Sequence, residues 1–108
     1  MTETQLVNVC ISYLLYKGHY VWRNNSGVTR NVYTNKSGQT RERMWRSGIK
    51  GGSDIIGVTK TGKFLAVECK IRPNKLTDIQ KNFLSEIYIH GGIAITAYDV
   101  SDLENAKL

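Results

Sequence analysis

The chain is 108 residues long with a net charge of +6, 41% hydrophobic and 22% charged residues. That is length for one domain with one modest core, which excludes a second independent domain and requires an enzyme of this size to build its site on one sheet or share it with another chain. Every apolar run is far shorter than the roughly 18 to 20 residues that span a bilayer, so a transmembrane role is excluded as well.

The N-terminus reads as a folded helix and not as a signal peptide, because Glu3 precedes an amphipathic pattern. Leu6, Val9, Cys10, Tyr13 and Leu14 recur at helical spacing. Val7, Ile11 and Leu15 widen this stripe beyond one face, which suggests cover on more than one side, including by a partner chain. Thr2 with Gln5 forms a capping-box start, and Gly18 supplies the stop.

Residues 19–24 (HYVWRN) read as a short strand, followed by a polar, basic stretch over 24–52. Within it, 30–34 and 41–45 are expected to pair as a hairpin around 35–38. The segment from Lys17 to Lys50 holds eight of the fifteen Lys and Arg residues and one of the nine carboxylates, Glu42. Its balance is therefore +7, and the rest of the chain stands at −1. So lopsided a distribution is the footprint of phosphate binding, although a solvated basic surface has the same composition.

Two strands are then expected over 53–59 and 63–71. The loop Lys60-Thr61-Gly62 between them suits a type I turn whose glycine is left-handed. Thr77 and Gln80 form a second capping box, opening a helix with Ile79, Phe83, Leu84 and Ile87 on its inner face and Gly91-Gly92 at its end. Residues 93–98 read as a buried strand and 101–107 as a short terminal helix. The fold class is thus α/β, a mixed β-sheet flanked by helices in the order αβββαβ with a hairpin inserted. Cys10 and Cys69 lie in apolar stretches without metal-ligand spacing, as expected of buried, reduced thiols in a cytoplasmic protein (host-cell cytoplasm if viral).

The chemistry concentrates on the 53–71 hairpin. Alternation puts Leu65, Val67, Cys69 and Ile71 on one face and Phe64, Ala66, Glu68 and Lys70 on the other. If Lys60-Thr61-Gly62 is the loop, Thr59 faces Lys63 and Asp54 falls opposite Glu68, with Cβ atoms about 4.5 to 5.5 Å apart. Opposed carboxylates repel unless a cation lies between them, and hard oxygen donors suit Mg²⁺ or Mn²⁺. Lys70 is next along that face. A turn cap at Asp54 and a plain Glu68–Lys70 ion pair is the structural alternative, but charges inside core-like strands need a reason.

Gly52-Ser53-Asp54, then Glu68-Cys69-Lys70, then Leu76-Thr77-x-x-Gln80 resemble the PD-(D/E)xK nuclease superfamily. More narrowly, their order is similar to its virus-type replication–repair nuclease (VRR-NUC) branch, as are Trp22-Arg23-Asn24-Asn25-Ser26-Gly27 and Ile49-Lys50-Gly51-Gly52. Ser53 stands where the superfamily's name carries proline. The resemblance implies a restriction-endonuclease-like core and a Mg²⁺- or Mn²⁺-dependent DNA phosphodiesterase. By motif position, Asp54, Glu68 and the Cys69 carbonyl would ligate metal, Lys70 would orient the attacking water, and Gln80 would support the site. Glu3 maps to the first-helix acid, either as a further ligand or as an acid favoured by the helix N-terminus. Gln80 equally serves as the reciprocal cap to Thr77.

Arg41, Arg43, Arg46 and Lys50, with Arg23, Asn24 and Asn25 nearer the site, are the candidate DNA-backbone contacts. Trp45 either stacks on an unpaired base or packs in a core. His19 and His90 suggest no catalytic partner. Small size and the broad first helix favour a homo-oligomer, a dimer first, acting on branched DNA such as a Holliday junction. The rival readings are a non-catalytic DNA-binding module, a restriction-type endonuclease, and a basic protein that binds some other partner.

Overall fold

Helix α1 (Glu3–Tyr16) begins at Thr2, whose side chain accepts from the Gln5 N–H while the Gln5 side chain accepts from the Thr2 N–H. It ends where Gly18 turns left-handed (φ +94°) and the Gly18 and His19 N–H groups satisfy the Leu15 and Leu14 carbonyls. The strands β1 (Tyr20–Arg23), β2 (Val28–Thr34), β3 (Thr40–Arg46), β4 (Ile55–Val58) and β5 (Phe64–Cys69) follow. Helix α2 (Asp78–Ile89), β6 (Ile93–Ala97) and α3 (Ser101–Asn105) complete the chain. The computed structural model describes residues 1–24, 28–46 and 52–108, with the side chains of 28–33 and 41–46 outside that description.

One sheet has the order β1-β4-β5-β6, antiparallel except for the parallel β5–β6 pair, and β2 and β3 form a separate hairpin. With that hairpin set aside, the order is the expected αβββαβ around a mixed sheet flanked by helices. The hairpin turns at Asn35, whose Oδ1 accepts from the Ser37 and Gln39 N–H groups, with Gly38 left-handed. The β4–β5 turn is also the expected one: Gly62 has φ +89° and Ile55 pairs with Val67.

The main core lies on one face of the sheet, where Leu6, Val7, Cys10 and Leu14 of α1 meet Val21, Ile55, Leu65, Val67, Cys69 and Ala97. Leu103 and Leu108 join it, and the Tyr13 hydroxyl donates to the Leu108 carbonyl. The first-helix stripe differs from expectation. Val9 and Leu15 are exposed, whereas Val7 is fully buried. At about 100° per residue, Val9 and Leu15 lie more than about 110° from the centre of the buried set, too far round to reach one sheet. Likewise Ile79 is exposed, about 90° from the Phe83, Leu84 and Ile87 stripe of α2.

Strand β5 is buried from Leu65 to Cys69, because it is an inner strand with α1 on one face and α2 reaching the other. Strand β4 is shorter than expected, so Ser53 and Asp54 sit just before it, at the sheet's end. Among the described residues, no helix is long and apolar enough to cross a membrane.

Candidate metal centre

Asp54, Glu68 and Glu3 converge at that end of the sheet. One carboxylate oxygen from each lies within 4.8 Å of the other two. Three different devices bring them together. The tight β4–β5 turn sets the register that, carried one pair beyond Ile55↔Val67, puts Asp54 across from Glu68. The Cys69 N–H donates to Asp54 Oδ2 at 2.9 Å, and the Asp54 carbonyl accepts from the Asn24 N–H, so both neighbouring strands hold this residue. Burial of Leu6 and Val7 against the sheet anchors the first turn of α1, and Glu3 with it.

Glu68 is only 2% exposed. Its Oε1 accepts from Gln80 Nε2 at 3.0 Å, and its Oε2 is buried with no partner among the described residues. Burial raises the Glu68 pKa to about 8, helped by the adjacent Asp54 and by Glu3 and opposed by Lys70. A buried carboxyl group with one satisfied and one orphaned oxygen, beside two more acids, is a costly arrangement in the bare chain. A hard divalent cation matches this donor set, since it takes oxygen ligands and offsets their mutual repulsion.

Gln80 makes two side-chain hydrogen bonds at once. Its Oε1 accepts from the Thr77 N–H to close the capping box, and its Nε2 holds Glu68. Lys70 follows β5, half-buried, with its N–H donating to the Ala97 carbonyl, so the sheet still holds the backbone there. Its charge lowers the Glu68 pKa. The Cys69 thiol points into the core, where contact with Cys10 and burial push its pKa far up, and both cysteines are free and buried as expected.

Of the expected DNA contacts, Arg23 is exposed on β1 and Asn24 is half-buried beside Asp54, its Nδ2 enclosed without a partner among the described residues. Arg41, Arg43 and Arg46, like Trp45, lie on β3, their side chains outside the described set, and Asn25 and Lys50 fall outside the described residues altogether. Two features carry little signal in the sequence. The Ser53 hydroxyl is buried next to Asp54, with no partner among the described residues. Tyr20 and Trp22 are exposed neighbours with ring centroids 5.7 Å apart, signalled only by their alternation around Val21. His19 is buried under the β4–β5 turn, its Nδ1 accepting from the Lys60 N–H, while burial and then Lys60 and Lys17 lower its pKa.

No protein-family model matches the chain, and no curated protein matches it.

Proposed function

We propose that this chain is a metal-dependent DNA endonuclease that hydrolyses phosphodiester bonds in branched or otherwise structured DNA during replication, repair or recombination. The observation that carries the reading is the buried Glu68 carboxylate, whose Oε2 has no partner among the described residues, which lies within 4.8 Å of Asp54 and Glu3 oxygens and is backed by Gln80. Together with the order of the Ser53-Asp54, Glu68-Cys69-Lys70 and Thr77-x-x-Gln80 motifs, it favours a Mg²⁺ or Mn²⁺ site over a chance acidic cluster.

Asp54 and Glu68 would hold the ion, with the Cys69 carbonyl and Glu3 as further ligands. When bound, such an ion supplies Lewis acidity towards the scissile phosphate and acidifies water. Gln80 fixes the orientation of Glu68, and Lys70 orients the attacking water and neutralises charge developing on the phosphate oxygens. Arg23, Asn24, Asn25, Arg41, Arg43, Arg46 and Lys50 grip the flanking backbone, contacts that set position and not sequence. We place the protein in the cytoplasm, where Cys10 and Cys69 stay reduced, and favour a homodimer presenting two sites to one junction.

The test is a cleavage assay on junction, flapped and plain duplex DNA with Mg²⁺ or Mn²⁺. The wild type should cut structured DNA, and Glu68→Ala and Lys70→Ala should lose at least about a hundredfold, in the range of removing one charge-stabilising group. Equal cleavage by all three proteins overturns the site assignment. Salt-sensitive binding without cleavage by the wild type favours a non-catalytic DNA-binding module. Cutting of plain duplex at one sequence favours a restriction-type enzyme.

A further inference from the structure

The sheet face that carries Asp54 and Glu68 continues away from them as an open apolar strip. In the pairing Trp22↔Ile56↔Ala66, one step from the carboxylates, and Tyr20↔Val58↔Phe64, the next step out, side chains of one row share one face. Helix α2 packs on β5 and β6, and among the described residues no helix packs closely on the β1–β4 half of this face. Tyr20 is 73%, Trp22 47%, Phe64 41% and Val58 38% exposed. The two rings of β1 are tilted by 60° and not stacked face to face, so the pair does not consume its own ring faces.

We infer that this strip is a stacking platform for the unpaired bases of a single-stranded DNA arm that enters the acidic site. The inference rests on the nuclease reading for the identity of the nucleic acid. Charge selects this occupant. Strand β1 belongs to the segment from Lys17 to Lys50, whose balance is +7, although Arg23 and Lys63 themselves alternate onto the opposite face of the sheet. Exposed rings on a strand of a basic segment suit a chain of bases joined by phosphates, because each base offers a ring face and each linkage an anion. Position selects it too. Trp22 stands about 7 Å along the strand from the row of Asp54, roughly one nucleotide's reach, so a strand lying on the platform leads its backbone to the carboxylates. This gives the branched-DNA preference a structural basis, since paired bases present no free face to Trp22.

The experiment measures binding by fluorescence anisotropy in EDTA, with the full chain and three labelled DNAs: a duplex with a single-stranded thymidine arm, the same duplex blunt, and the armed duplex with abasic sites along the arm. Tyr20→Ala and Trp22→Ala should each weaken binding to the thymidine arm by about 5- to 150-fold, as expected for loss of one stacked base. Their binding to blunt duplex should stay within about twofold, and Trp22→Phe should retain most of the arm affinity. The abasic arm should bind wild type and Trp22→Ala alike.

Equal losses on armed and blunt DNA, or none, overturn the platform. So does a shift from dimer to monomer in Trp22→Ala without arm-selective loss, which makes the strip a contact between copies. If circular dichroism shows that an alanine variant does not fold, the wild type decides: binding the abasic arm as tightly as the thymidine arm overturns the proposal. Cleavage with Mn²⁺ is scored separately. Cutting without arm selectivity sinks the platform and keeps the nuclease, whereas arm-selective binding without cutting does the reverse.

Discussion

At the scale of single residues, Glu68 sets the behaviour of the centre. Its carboxyl is held protonated up to about 8 by burial and by Asp54, against 4.5 when solvated. A folded-state pKa above the unfolded one means that the native chain binds the extra proton between these values, so stability falls as pH rises through that window. The metal-free protein should therefore lose stability between about pH 4.5 and 8, and Glu68→Gln should flatten the profile, read by urea denaturation at fixed pH steps. Metal should reverse the trend, because ligation requires the deprotonated acid. At about pH 8, Mn²⁺ at about a hundred times its dissociation constant should add about 2.7 kcal/mol to the wild type and much less to Glu68→Gln. Unchanged melting of the wild type in saturating Mn²⁺ would count against the centre. Gln80→Ala removes the Glu68 hydrogen bond and half of the capping box together. It should cost about 1 kcal/mol of stability and lower cleavage more than the cap-only change Thr77→Ala does; equal cleavage by the two variants would leave Gln80 with a capping role alone.

Among the elements, β1 and β4 approach each other closely at Gly57. A Cβ there would lie 2.1 Å from the Tyr20 carbonyl oxygen and 2.6 Å from the Val21 Cα, both backbone atoms that cannot yield without moving the strand. Gly57→Ala should destabilise the fold by about 1 to 3 kcal/mol and displace β1, carrying Trp22 and the Asn24–Asp54 hydrogen bond with it. Thermal melting with and without Mn²⁺ checks this, since a displaced β1 should weaken metal stabilisation as well as the fold. Both long helices were legible from residues alone, because caps and glycine stops are local: Thr2 with Gln5, Thr77 with Gln80, Gly18 and Gly91 each act within a few residues. The buried stripe of α1 was less legible. Periodicity admitted Val9 and Leu15, and only the position of the sheet excluded them.

For the whole molecule, charge and shape act together. The basic segment from Lys17 to Lys50 should make DNA binding strongly salt-dependent. Replacing Arg41, Arg43 and Arg46 with glutamine should reduce the slope of log affinity against log salt by roughly 0.9 for each phosphate that these side chains neutralise on duplex DNA. An unchanged slope in a titration from low to physiological salt would remove these three residues from the interface.

The sequence by itself determined the element order, the turn at Lys60-Thr61-Gly62 and, through that turn, the register that sets Asp54 against Glu68. These are short-range matters, decided by local φ/ψ preference and by two-residue alternation. Tertiary structure decided what those carboxylates became. The seating of α2 against β5 brought Gln80 to one oxygen of Glu68 and left the other orphaned, and the packing of α1 brought in Glu3 from near the start of the chain. It also decided that Trp22 and Tyr20 stay uncovered beside the site. Burial and convergence depend on which surfaces meet, and no local pattern along the chain carries that.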